Sequence, residues 1–245
     1  MKRLILVSLM ATGLALFAAP KAEAALAYSF HVCQGGPADP SCVNFSSASL
    51  LAFGPVTVGD YSVAGTGFGV NATPVSNSQT TTINVQRTAD TSSAFLNVWF
   101  TVTGYTLPVG AAYLFDVALS PTETSASAGA DLHQVDYQAW YSGTNATGFP
   151  PAGSSPSNFA SCTPSGAGPS FSCTSNPGPV TVGPNTGTYS IVSLTTFEIP
   201  TGHRNFTGTT AQASISAIPE PGSMVLLGTG LVGLAAGLRR RMVKR

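Results

Sequence analysis

Between Ala25 and Pro221 the sequence has no lysine and only two arginines, Arg87 and Arg204. Nine carboxylates face them: Asp39, Asp60, Asp90, Asp116, Glu123, Asp131, Asp136, Glu198 and Glu220, so two positive against nine negative leaves this stretch at −7. The formal net charge of zero for the whole chain hides this, because the remaining basic residues lie at the two ends. A body so poor in cations cannot neutralise phosphates, which excludes nucleic acid as a partner. The missing lysine excludes Schiff-base and Ser-Lys chemistry there. No G-x-S-x-G elbow, H-E-x-x-H pair or EF-hand loop is present. No window of about 11 residues in the body sustains a helical period. With charged residues at 8% overall, the surface must be built from Ser, Thr, Asn and Gly.

What is there reads as strand. Alternating apolar and β-branched runs occupy residues 26–32, 43–53, 56–63, 81–87, 94–103, 111–119, 132–141, 188–199 and 211–218. Gly and Pro punctuate them at Gly54-Pro55, Gly104, Pro108, Gly110 and Pro121. About nine short strands separated by turn signals predict an all-β body, an antiparallel β-sandwich spanning residues 25–218. Residues 142–179 interrupt the pattern with a long Gly/Pro/Ser/Asn segment, expected to be an exposed loop or a linker. The hexapeptide GPVTVG occurs at 54–59 and again at 178–183, each copy ahead of a Tyr-Ser pair, which leaves duplication of a half-domain and chance recurrence both open.

Four cysteines lie in the body: Cys33, Cys42, Cys162 and Cys173. An even count in an exported chain reads as disulfides, and the spacings suggest local pairs, Cys33 with Cys42 and Cys162 with Cys173. Neither pair has the C-x-x-C spacing or a nearby second ligand pair that zinc requires, so no metal and no cofactor is expected.

Both ends carry addresses. Lys2 and Arg3 precede an apolar run to Ala19, and Ala22-Glu23-Ala24 forms an A-x-A site, so residues 1–24 read as a signal peptide cleaved between Ala24 and Ala25. At the other end, Pro219-Glu220-Pro221 precedes an uncharged run from Met224 to Leu238 and a basic cluster of Arg239, Arg240, Arg241, Lys244 and Arg245. Fifteen helical residues reach only about 22 Å against a hydrocarbon core of roughly 30 Å, so this transmembrane helix spans by recruiting its flanks and letting the arginines snorkel. The basic cluster marks the cytoplasmic side. Gly228, Gly230 and Gly233 spell a dinucleotide fingerprint, but no βαβ unit or downstream acidic residue accompanies them, and the reading is rejected.

The order Pro-Glu-Pro, apolar helix, Arg-rich end over residues 219–245 resembles the PEP-CTERM sorting signal of Gram-negative bacteria. That resemblance implies processing by an exosortase, an integral-membrane cysteine transpeptidase, with transient anchoring in the inner membrane. It also implies release of the body to the cell surface or extracellular matrix, in bacteria that make exopolysaccharide and biofilm. Proline fixes φ at Pro219 and Pro221 and holds their predecessors extended, which presents Glu220 on a stiff segment outside the membrane.

Catalytic residues are not expected. The strongest constellation is Asp131, His133 and Asp136, with Tyr137, Trp140 and Tyr141 following on the same strand. Asp and His on one strand face can polarise a sugar hydroxyl, and exposed aromatics can stack on sugar rings. A secreted polysaccharide hydrolase would need two carboxylates about 5–9 Å apart, drawn from Asp90, Asp116, Glu123, Asp131 and Asp136. A carbohydrate-binding module would need an exposed aromatic platform instead. The expectation adopted is a non-enzymatic, exported surface or matrix protein, with these two as the alternatives. Gly65, Gly67 and Gly69 are read as a strand bend or bulge, and the N-x-[ST] matches at Asn44, Asn71, Asn145 and Asn205 as incidental.

Overall fold

A computed structural model describes residues 25–91, 95–124, 134–163, 170–184, 187–199 and 205–218, together with Thr229 and Leu231. The signal-peptide residues through Ala24, the Pro219-Glu220-Pro221 motif and the basic cluster at Arg239, Arg240, Arg241, Lys244 and Arg245 lie outside the described residues. Among the described residues, no helix is long and apolar enough to cross a membrane.

The chain forms two antiparallel sheets. In order, the strands are β1 (Ala27–Gln34), β2 (Val43–Ser47), β3 (Leu51–Val58), β4 (Tyr61–Val70), β5 (Val75–Arg87), β6 (Phe95–Tyr105), β7 (Tyr113–Ser120) and β8 (Thr122–Thr124). They continue with β9 (Gln134–Ser142), β10 (Ser155–Pro156), β11 (Ala160–Cys162), β12 (Ser170–Ser172), β13 (Val180–Val182), β14 (Tyr189–Glu198) and β15 (Asn205–Ala217). One sheet runs β10-β9-β14-β6-β1-β2, with β11 also on β9. The other runs β12-β8-β15-β5-β4-β3, with β7 also on β15 and β13 on β7. The strand count exceeds nine because five short strands, β8 and β10 to β13, lie outside the expected runs, and because the runs 43–53 and 56–63 hold three strands between them. The run 43–53 breaks at 48–50, where the chain leaves one sheet for the other, and the run 56–63 contains the turn at Gly59 and Asp60. Gly59 takes φ +55, and an added Cβ there would fall 1.7 Å from Gln34 Oε1, so only glycine fits the turn.

Period-2 alternation sets which side chains meet between the sheets. On β7, Tyr113, Phe115, Val117 and Leu119 are buried while Leu114 and Ala118 face out. On β9, Val135, Tyr137, Ala139 and Tyr141 are buried in the same way. Aromatic contacts join the layers: Phe30 of β1 meets Phe53 of β3 edge-on at 5.0 Å, and Phe197 of β14 meets Phe206 of β15 at 5.4 Å. The glycines of β4 make room for this. A Cβ on Gly67 would lie 2.6 Å from the Phe100 ring and 2.8 Å from Phe30. The strand also bulges, its register with β5 shifting between Ala64 and Thr66.

The long Gly/Pro/Ser segment is tied down along much of its length. β10 and β11 pair with β9 in one sheet, and β12 pairs with β8 in the other. The disulfide from Cys162 to Cys173 sits where the segment passes from the first sheet to the second. Leu119 and Ser175 then exchange two backbone hydrogen bonds of 2.9 Å. Both GPVTVG copies end in short strands of the second sheet, β3 and β13, but the Tyr-Ser strands that follow part company. Tyr61 opens β4 in the second sheet, and Tyr189 opens β14 in the first.

The last two long strands complete both layers. β14 enters between β9 and β6, and β15 enters between β5 and the β7–β8 edge. Among the described residues, Ile218 makes the final backbone bond of the body, donating to Ala112 at 3.0 Å. The first sheet is not continuous until β14 ends at Glu198, and the second not until β15 ends at Ala217.

Candidate functional site

Among the described residues, those singled out for chemistry do not converge. Asp131 and His133 lie outside the described residues. Asp136 is on the outward face of β9, where Gln134 Nε2 donates to both its oxygens at 2.8 and 2.9 Å. Asp116 is on the outward face of β7 in the other sheet, so the two carboxylates stand on opposite faces of the double layer. Glu123 is buried in β8. Asp90 is committed to Arg87, with Oδ1 at 3.0 Å from Nε.

Alternation also divides the aromatics of β9. Tyr137 and Tyr141 point into the core. Trp140 points outward and stacks on Trp99 of β6 at 5.5 Å. Phe149, from the long segment, covers Trp99 at 5.1 Å and lies flat on His31 at 4.5 Å. Trp99 is only 5% exposed. The grouping is therefore a satellite apolar cluster that anchors residues 143–151 over the sheet, rather than an open platform. Further bonds hold the same turn: Asn145 Oδ1 accepts from Gly104 N at 2.9 Å, and Ser190 Oγ donates to Ala146 O at 2.5 Å. Asn71 is likewise structural, being buried and accepting from Thr106 N and Leu107 N at 3.0 and 2.9 Å.

The disulfide pairing inferred from spacing is present, Cys33 with Cys42 and Cys162 with Cys173, and no cysteine is free. Spacing did not reveal the neighbour of the first. His31 is two residues before Cys33 on β1, so the two share a face, and His31, Cys33 and Cys42 each bring one potential ligand atom within 4.8 Å of the others. With the two sulfurs bonded to one another, the cluster offers no thiolate to a metal.

A buried polar knot joins the end of β5 to both sheets. Asp60 Oδ2 accepts from Thr91 N at 2.8 Å, and Oδ1 accepts from Thr91 Oγ1 at 2.5 Å. Asp60 N donates to Gln34 Oε1 at 2.8 Å, and the Arg87 guanidinium lies 4.0 Å from Asp60 and 5.8 Å over the ring of Tyr61. Burial pushes the Tyr61 phenol up to about 12, with the Arg87 charge pulling the other way.

The outward face of the second sheet is nearly free of charge. Across β4, β5, β15 and β7, register aligns Phe68, Gln79, Gln212 and Ala118 in one row, and Val70, Asn77, Ser214 and Asp116 in the next. Ser62 with Gln86 and Ala64 with Asn84 continue the same face. It mixes side-chain amides and hydroxyls with the apolar Phe68, Val70, Ala64 and Ala118, and Asp116 is the carboxylate among these positions.

Residues 217–241 match the family model of the PEP-CTERM protein-sorting motif. No curated protein matches the chain. The match begins at the last residue of β15, so the sorting segment follows the body with no intervening linker.

Proposed function

We propose that this chain is an exosortase substrate whose β body folds to completion outside the cytoplasmic membrane and is then cut from its tail as a non-enzymatic surface or matrix protein. One observation carries the reading: the sorting motif starts at Ala217, the end of the strand that completes the second sheet. The PEP-CTERM motif supports export and exosortase-dependent sorting. Strand order adds a sequence of events. β15 pairs with β5 across more than a hundred residues, as in the bond from Thr80 Oγ1 to Ala211 O, so the fold closes only after nearly all of the body has crossed. A cut at Pro219-Glu220-Pro221 falls just beyond the last backbone bond among the described residues, at Ile218, and leaves the described ladder intact.

Non-enzymatic action is favoured by the placement of Asp116 and Asp136 on opposite faces and by the bonding of Asp90 to Arg87. Association with exopolysaccharide is favoured by the amides and hydroxyls on the outward face of the second sheet, which can exchange hydrogen bonds with sugar hydroxyls without burying charge. The deciding experiment is intact-mass analysis of the exported protein. A product beginning at Ala25 and lacking the Arg-rich tail is expected. Retention of residues 222–245 throughout the exported pool would reduce the tail to a plain anchor and end the sorting reading.

A further inference from the structure

The two disulfides stand in different chemical surroundings. His31 Nε2 lies 3.0 Å from Cys33 Sγ. His31 is the only histidine among the described residues, so no described imidazole neighbours the Cys162–Cys173 bond. The ring is held on three sides. Nε2 sits 2.9 Å from the Pro37 carbonyl, Nδ1 meets the Asn44 carboxamide, and Phe149 stacks with its plane 8° from the imidazole. The Pro37 carbonyl can only accept, so that bond places the proton on Nε2, the nitrogen nearest the sulfur, and the Asn44 amide serves Nδ1 with its N–H turned inward. The sulfurs differ in access as well: Cys33 is fully buried, while Cys42 is partly exposed.

We infer that Cys33–Cys42 is a thiol-exchange site, in which an incoming thiolate attacks Cys42 Sγ and His31 stabilises Cys33 as the leaving group. The new bond joins the incoming sulfur to Cys42 Sγ. The Cys33–Cys42 bond breaks, and its electron pair goes to Cys33 Sγ. One disulfide and one thiolate become another disulfide and another thiolate, so the exchange needs no further oxidant or reductant. A buried thiolate without a donor is costly, and burial in apolar surroundings raises a thiol's pKa. The Nε2–H of His31 supplies a charge-assisted hydrogen bond to the sulfur as charge develops. A better-stabilised leaving thiolate leaves faster.

The incoming group is a small neutral or cationic thiol. The exposed carboxylate of Asp39, held below the ordinary carboxylate range by its bonds from Ser41, lies three residues from Cys42, and the body around it is acidic. An anionic thiol would approach against that field.

The test uses the oxidised exported protein and cysteamine as the probe, with timed alkylation and peptide mapping. The Cys33–Cys42 bond is expected to open about tenfold or more faster than Cys162–Cys173, with the cysteamine adduct on Cys42. His31→Phe keeps a ring for Phe149 to stack on but removes the N–H. It should slow the first opening by about tenfold and leave the second unchanged. A variant that merely loosened the fold would accelerate opening, so slowing separates the two effects. Equal rates for the two wild-type disulfides, an adduct on Cys33, or an unslowed His31→Phe protein would overturn the assignment. The position of the wild-type adduct decides without any variant.

Discussion

Arg87 Nη1 donates a 2.5 Å hydrogen bond to the carbonyl of Ile199, joining the end of β5 in one sheet to the residue after β14 in the other. Arg87 is 2% exposed, and its Nε reaches both Ala89 O and Asp90 at 3.0 Å. Of the two arginines between Ala25 and Pro221, this one is spent inside the fold. Removing one partner of a buried ion pair leaves the other charge uncompensated, which typically costs about 3–5 kcal/mol. Arg87→Met should lower the unfolding free energy of the body at pH 7, measured by urea denaturation, by an amount in that range. A loss below about 1 kcal/mol would mean that solvent reaches Asp60 and Asp90 and that the knot is not a clamp.

A Cβ on Gly67 of β4 would meet two rings of the aromatic layer at once. Gly67→Ala must push Phe100 or Phe30 aside, an overpacking that typically costs about 1–3 kcal/mol. Gly54→Ala, on the neighbouring strand with nothing within 4 Å of the added Cβ, is the control and should be close to neutral. Paired thermal melts check both. Equal melting temperatures for the two variants would contradict the tight contact.

Alkaline stability follows from the buried phenols. Tyr61 and Tyr141 are pushed up to about 12, and burial also raises Tyr105, Tyr137 and Tyr189. In each case the folded pKa lies above the unfolded value of about 10. The unfolded chain therefore releases protons first, and the stability linked to these groups is intact below pH 10 and lost as pH rises towards 12 and beyond. Absorbance at about 295 nm should show these phenolates appearing together with unfolding rather than near pH 10. A full set of early, independent titrations would place the phenols in solvent.

The tail separates recognition from anchoring. Glu220→Ala or Pro219→Ala should block processing and trap full-length protein in the membrane fraction, because the motif lies outside the apolar run that sets insertion. Reversing the charge of Arg239, Arg240 and Arg241 should instead disturb orientation. Fractionation with an epitope tag in the body distinguishes the two. Release of the motif variants at the wild-type rate would leave Pro219-Glu220-Pro221 as a linker only.

The body's main strands were legible because alternation is local, and β7 and β9 read as strands from their own residues. The strand boundary inside 43–53 was not, since nothing in Ser-Ala-Ser-Leu announces a change of sheet as Gly-Pro would. The glycines of β4 read as a bend or bulge. Their bulge is there, but the larger reason for Gly67 is a ring contributed by β6 more than thirty residues away. Trp140 was grouped with Tyr137 and Tyr141 by proximity in the chain, and the pleat sends it to the opposite face.

The strand periodicity, the pairing of near cysteines and the C-terminal sorting motif are properties of short stretches, and the sequence by itself determined them. A period of two needs only neighbouring residues, a nine- or eleven-residue loop closes at small entropic cost, and a sorting signal must be readable as an unfolded tail. Which sheet each strand joins, that β14 and β15 close the two layers, that Arg87 reaches Ile199 and that Phe149 holds His31 against a disulfide were decided by tertiary structure alone. Each depends on bringing together segments far apart in the chain, and that choice is made by the shared burial of both faces rather than by any single segment.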